Sequence, residues 1–153
     1  MILSNVQIDE IITILRTALT ELYARDKELI DRAVNERDLA FRLGLHMNPL
    51  LQANEQLKIW DLDIDYNKNG DRPKRTPRRP KGAFPDLIIH KRGNNNFNNL
   101  VVEIKGWWNK QTREEDFIKL EDFTHQEGEY KYGLGAFVEL GKDNFTMEIL
   151  KGY

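Results

Sequence analysis

The chain contains no cysteine. That removes disulfide staples, thiolate catalysis and Cys-ligated zinc together. It also lacks any uninterrupted run of about 18 apolar residues, so no membrane span is expected. The first stretch, MILSNVQIDEIITILRTALTELY, has no basic start, and Asp9, Glu10 and Arg16 break its apolar residues. It is therefore not expected to act as a signal peptide. There is no P-loop, GxGxxG or HExxH pattern, and no serine or cysteine nucleophile motif. Together these absences lead to the expectation of a cytoplasmic protein outside the common nucleotide-binding, zinc-protease and acyl-transfer classes. Large net charge is missing too, at −2.

What is present is an ordinary globular composition, 40% hydrophobic and 31% charged over 153 residues. That length suits one domain spanning 1–153 with its own core. The near-neutral total hides a segregated charge. RPKRTPRRPK, residues 72–81, carries six basic residues and no acid, so the remainder must hold about −8 to give the total of −2. A concentrated cationic segment in an otherwise acidic chain points to a local anionic partner.

Residues 6–24 read as a helix, with Ile8, Ile11, Ile12, Leu15, Leu19 and Leu22 at spacings of three and four. A charged break follows at Arg25, Asp26 and Lys27. A second helix starts near Asn35, a good N-cap, with Pro49 marking an end or kink; the alternative is one helix running on from Asp26. KIWDLDIDY alternates, placing Trp60, Leu62, Ile64 and Tyr66 on one face and Asp61, Asp63 and Asp65 on the other. The basic segment, with three prolines in ten residues, is expected as an extended loop. PDLIIH and NLVVEIKGW read as a hairpin joined by an Asn-rich connection, followed by a helix in TREEDFIKLEDFTHQ and two strands in YGLGAFVEL and FTMEIL. Helices, three strands, a helix and two strands make an α/β or α+β fold with one mixed central sheet of about four or five strands.

Charges interrupt the hairpin strands. Glu103 and Lys105 project to one side with Val101, while Leu100, Val102 and Ile104 face the other; Asp86 shares a side with Ile88 and His90. If the strands pair, Asp86 and Glu103 meet on one region of the sheet. Two adjacent carboxylates repel unless a cation joins them. Mg²⁺ takes one or two carboxylates, keeps waters and binds substrate phosphates. Lys105 adds a charge able to orient water or stabilise a phosphoryl group. These parts suit metal-assisted phosphodiester hydrolysis.

Pro85 and Asp86, followed by the Glu103–Ile104–Lys105 triplet on the next strand, resemble the PD-(D/E)XK nuclease superfamily. The wider string from about residue 35 to 140 is similar to a group of small, stand-alone bacterial members. The resemblance implies a restriction-endonuclease-like core and a metal-dependent nuclease. Asp86 and Glu103 would ligate Mg²⁺ or Mn²⁺, with the Ile104 carbonyl completing the shell. Lys105 would position or activate water, and Glu36, on an early helix, would assist at the metal. Asp65 and Tyr66 match an acidic-aromatic pair of that group. The chain is expected to be a bare core without an added DNA-recognition domain, so sequence-specific cutting is not expected.

Blander roles stand beside these. Glu-x-Lys on a strand is commonly a solvated pair. Asp61 and Asp63 are expected as a solvated face, with Asp65 the exception. Glu36 could simply favour a helix N-terminus. Trp107 and Trp108 could stack on bases or cover the sheet. Lys119 could approach a phosphate or lie in solvent, and His90 is expected to be structural. The basic segment (Arg72, Lys74, Arg75, Arg78, Arg79 and Lys81) is expected to contact a nucleic-acid backbone, DNA first. A homodimer through the first helix is a further expectation. The competing function is a nuclease-like fold that binds nucleic acid or protein without catalysis.

Overall fold

The computed structural model describes residues 2–153. Helix α1 covers Asn5–Arg25. Ser4 opens it with a capping box, its Oγ accepting the Gln7 N–H while Gln7 Oε1 accepts the Ser4 N–H. Ile11, Leu15, Leu19 and Leu22 are buried along one stripe, and each contributes about 1.5–3 kcal/mol through lost apolar surface. That stripe packs inside the molecule, leaving only Ile2 and Val6 as large exposed apolar residues near this end. Most of the apolar stripe of α1 thus faces the core.

A short helix α2, Lys27–Asp31, precedes α3, Glu36–Ala53. Ala33, at φ 53°, separates them, so neither sequence alternative is complete: the chain breaks, turns one helical segment, and breaks again. Asn35 caps α3 by accepting the Arg37 N–H. Pro49 neither ends nor visibly interrupts the helix. It lies on the exposed side with Leu45, whose carbonyl loses its partner there; water can satisfy that group. Gly44 faces β1, and a Cβ at this position would meet Ile64 Cδ1 at 2.9 Å.

The central sheet has the order β1–β4–β5–β6–β7, with β1 Asp61–Ile64, β4 Leu87–His90, β5 Leu100–Gly106, β6 Leu134–Leu140 and β7 Phe145–Lys151. β4 runs antiparallel to both of its neighbours, β1 and β5, β6 runs parallel to β5, and β7 returns antiparallel. Helix α4, Glu114–Thr124, makes the crossover between β5 and β6. This is a mixed α/β architecture with a five-stranded sheet flanked by helices. Among the described residues no helix is long and apolar enough to cross a membrane.

Strand alternation sorts the core into two layers. Leu87, Ile89, Leu100, Val102, Ile104, Leu134, Ala136 and Val138 pack toward α1 and α3. Ile88, Val101 and Phe137 pack toward α4, with Leu120, Phe123, Tyr130 and Tyr132. Tyr66 departs from its expected face. Leu62 and Ile64 lie in the first layer, but Tyr66 packs in the second. Asp65 adopts φ 52°, which ends the strand and resets the alternation.

The basic segment is also more ordered than expected. A small hairpin, β2 Lys68–Asn69 with β3 Arg72–Pro73, leads into it. Thr76 and Arg79 form a bridge, and the Tyr130 hydroxyl donates to the Arg75 carbonyl while accepting its N–H, both at 2.8 Å.

Candidate active site

The site begins where β4 meets β5. Leu87 pairs with Val102 and Ile88 with Val101, so the next step of the register sets Asp86 opposite Glu103. Pro85 has no N–H to continue the ladder. The Asp86 side chain makes a link to β5 of its own: Oδ2 accepts the Ile104 N–H at 2.7 Å. Glu103 and Lys105 follow Val101 onto the α4 side of β5, as the alternation requires, and both are buried at 1% and 5% exposure. The three residues expected to converge therefore share one face.

α4 supplies their partners. Lys119 Nζ lies 2.5 Å from Glu103 Oε2, and Lys105 Nζ lies 2.9 Å from Asp116 Oδ2. Lys119 is also 3.7 Å from Asp116 Oδ1, so two lysines and two acids interlock. Glu103 Oε1 remains buried with no hydrogen-bond partner. Burial, and then the neighbouring Asp86 charge, push the Glu103 carboxyl well above its ordinary range despite Lys119. Burial likewise raises Asp86 to about 6, against the opposing pull of the Ile104 N–H and Lys119; Glu36 and Asp116 add to the rise.

Glu36 reaches the end of β5 from the first residue of α3. Its Oε2 accepts the Gly106 N–H at 2.8 Å and its Oε1 accepts from Asn109 Nδ2 at 2.7 Å. Both oxygens are thus engaged with backbone and amide. Glu36 belongs to the neighbourhood, since its charge acts on Asp86, but among the described residues no group of three or more His, Cys, Asp or Glu side chains gathers to hold a metal ion. Glu36 was expected to assist at a metal directly or through water; in this arrangement both of its oxygens already accept from Gly106 and Asn109. An opening of about 220 Å³ beside Asp86 is lined by Asn35, Glu36, Arg37 and Asp65. Arg37 bridges to Asp65 at 3.1 Å across it.

Other candidates are placed elsewhere. Trp107 donates its indole N–H to the Ile30 carbonyl at 3.0 Å, and Trp108 packs over Gly106, where a Cβ would come within 2.4 Å of its ring. Both cover the sheet end rather than present free faces. Asp63 is not a solvated acid: it holds His90 at 2.7 Å and Arg92 at 2.7 Å. Of the six cations in residues 72–81, three are committed. Arg78 pairs with Asp122 and Glu121, and Arg79 with Glu115, all on α4. Lys74 is 1% exposed between the Tyr66 and Tyr130 rings. The three expected as free cations thus already have partners within the molecule. Arg72, Arg75 and Lys81 are exposed and make no ion pair among the described residues.

Asp116 was not picked out by sequence reasoning, and Lys119 was left undecided. Their signal was weak but present. Both interrupt the Phe117, Leu120 and Phe123 stripe one turn apart, so they sit on the side that faces the sheet.

Comparison with known proteins yields no matching family model, no matching curated protein and no matching solved structure.

Proposed function

We propose that this chain is a divalent-metal-dependent nuclease of the PD-(D/E)XK type, with Asp86, Glu103 and Lys105 as its reacting constellation. One observation carries the reading: Glu103 Oε1 is buried and unpartnered next to a second carboxyl, Asp86, on the face that also holds Lys105. Glu10 and Asp122 also have one bare buried oxygen, but only Glu103 of the three is set opposite a second carboxyl in the sheet, and an unmet buried acceptor costs about 1–3 kcal/mol, more when charged. A divalent cation fits the donor set. Mg²⁺ and Mn²⁺ favour carboxylate oxygens, and two suffice when waters and phosphate fill the remainder. When bound, such an ion would supply Lewis-acid activation of water and of the phosphoryl oxygens.

The chain's own groups do the rest. Lys105, steadied by Asp116, donates an N–H toward the attacking water or a phosphoryl oxygen and stabilises the charge that develops there. Lys119 holds a second positive charge against Glu103, where a phosphate can share it. Glu36 acts as a positioning residue, pinning Gly106 and Asn109 at the end of β5. The mixed sheet and its hairpin support a restriction-endonuclease-like core, in keeping with the placement of the motif on consecutive strands.

Plasmid nicking with Mn²⁺ tests the proposal. Wild type should cut, and Glu103→Ala and Lys105→Ala should each lose cutting while remaining folded by circular dichroism. Equal cutting by all three would mean that a contaminant does the work. Absence of cutting by wild type with DNA and RNA substrates in either metal would favour the non-catalytic binding module, for which the Lys119–Glu103 pair would be a permanent substitute for the ion.

A further inference from the structure

A second polar anomaly lies outside the carboxylate site. Lys74 has 1% of its surface exposed, and its ammonium sits 5.4 Å from the Tyr66 ring centroid and 4.9 Å from that of Tyr130. It makes no ion pair among the described residues; Glu129 is the one carboxylate that acts on it, from a distance. Three other buried charges have direct counter-ions: Glu103 has Lys119, Lys105 has Asp116 and Asp26 has Arg42. Two aromatic faces soften the burial of an ammonium but do not neutralise it. Burial accordingly pulls the Lys74 pKa down to about 8.

Lys74 is among the residues that line a pocket of about 340 Å³. The hairpin of β2 and β3 overhangs it, and Lys68 and Arg72 from that hairpin stand on its rim, exposed and without ion pairs among the described residues. Glu129 is the one acid on the wall, and its Oε1 is taken by Asn69 Nδ2 at 2.5 Å. His90 forms part of the floor, held to Asp63. The wall therefore offers a buried cation, the two rim cations Lys68 and Arg72, and Lys91, whose Nζ donates to the Ile59 carbonyl at 2.8 Å, with its acid already engaged. Asp86 and His90 lie four residues apart on one side of β4, which separates pocket and carboxylate site by roughly 13 Å at about 3.3 Å per residue.

We infer that this pocket binds a phosphate group, with Lys74 as its buried counter-charge and Arg72 and Lys68 closing over it. The phosphate chemistry follows from the pocket itself. That the group belongs to a nucleic-acid strand whose neighbouring linkage reaches Asp86 and Glu103 rests on the nuclease reading. The phosphate can be the terminal monoester of a strand, an internal diester or free inorganic phosphate; all three present the same oxygens to Lys74. Arg is suited to hold such oxygens in pairs, and a lysine to meet them as a point charge.

The test uses the full chain without divalent metal, at low salt. Inorganic phosphate, and short single-stranded oligonucleotides bearing a 5′-phosphate, a 3′-phosphate or hydroxyls at both ends, are titrated in by calorimetry and by backbone-amide NMR. Binding should shift amides of β2, β3 and His90. Lys74→Met should weaken it by about tenfold or more, as loss of a charged contact does. Because Lys74→Met removes a packed side chain, Lys68→Ala with Arg72→Ala provides the second variant: both positions are exposed, so folding is retained and binding should fall several-fold. A preference for one phosphorylated end identifies a terminal monoester. Equal weakening of all oligonucleotides by the rim variant identifies an internal diester, and binding of phosphate alone identifies the free anion. If no probe shifts these amides, or if neither variant weakens binding, the pocket is not a phosphate site. Since no metal is present, that failure leaves the nicking result untouched, and a failure of nicking leaves this one standing.

Discussion

Asp26 and Glu103 are both nearly sealed from water, at 7% and 1% exposure, and the fold treats them in opposite ways. Asp26 sits at the junction of α1 and α2. Its Oδ1 accepts from Arg42 Nε at 2.9 Å and its Oδ2 meets His46 Nε2 at 2.7 Å. Burial works to raise its pKa, but hydrogen bonds and charge from His46 and Arg42 more than offset that, and the net shift is downward. Glu103 has one partner, one bare oxygen and an adjacent carboxyl, so its shift is upward. The first acid ties three helical segments together. The second is left short of positive charge, in a protein whose sequence supplies lysines and arginines within reach. A sealed acid with one bare oxygen, set against a second carboxyl, is the physical signature expected of a site that completes itself with something from outside the chain.

The largest effect should come from breaking the under-compensated side. Lys105→Ala is expected to lower Mn²⁺-dependent cutting by about 10²–10⁴-fold, the range for removing a positioned proton-transfer or charge-stabilising group. The readout is single-turnover nicking. A loss below tenfold would place Lys105 outside the chemistry. Next comes the compensated side. Asp26→Ala leaves Arg42 and a partly buried His46 without their acceptor, and should cost about 3 kcal/mol of stability, the low end for breaking a buried pair, measured by urea unfolding. It should leave cutting per folded molecule unchanged, because Asp26 lies on the helical face of the sheet. A neutral outcome in stability would mean that the pair is ornamental and the contrast with Glu103 empty.

Much of this contrast was legible in residue order. The stripe of α1, the cap at Asn35 and the hairpin of β4 and β5 follow from local periods and turn chemistry. So does the common face of Asp86, Glu103 and Lys105, since alternation alone dictates it. What escaped was set by contacts distant in sequence. Lys74 reads as a loop cation until Tyr66 and Tyr130 enclose it, 8 and 56 residues away in number. Tyr66 itself changes face because of one left-handed residue, Asp65, which a clean alternating pattern conceals. Arg78 and Arg79 read as free charges because their acids lie on α4, some 40 residues later.

A smaller effect distinguishes the two acids by pH. Asp86 shares the Glu103 environment and titrates near 6 when folded, above the usual carboxyl value of 3.8. The folded chain thus holds that proton more tightly than the unfolded chain. The associated stability is complete below about pH 4 and is lost as pH rises through 6. Asp86→Asn should therefore raise the melting temperature at pH 7, by about 2–4 °C for each kcal/mol relieved, and leave it unchanged near pH 4. Its amide oxygen can still accept the Ile104 N–H. Asp26, with a lowered pKa, has the reverse slope: its contribution is present at neutral pH and lost on acidification, so Asp26→Asn should hurt at pH 7 and matter least in acid. Parallel slopes for the two variants would erase the distinction.

The smallest effect concerns the cations of residues 72–81, which divide in the same manner into committed and free. Arg78 and Arg79 are bound to acids of α4, whereas Arg75 and Lys81 project without ion pairs among the described residues. A committed arginine brings its carboxylate with it and releases few counterions when a nucleic acid arrives. A free one releases nearly a full ion, about 0.9 per phosphate contact on duplex DNA. Neutralising Arg75 and Lys81 together should thus flatten the slope of log binding constant against log salt by about 1–2. Arg78→Ala should leave the slope almost unaltered while uncovering Asp122, whose side chain is 10% exposed, and loosening the loop against α4. The measurement is fluorescence anisotropy of a labelled duplex at several salt concentrations. A slope that falls equally for both variants would mean that the α4 pairs open on binding, and that commitment within the free chain does not predict which charges the partner meets.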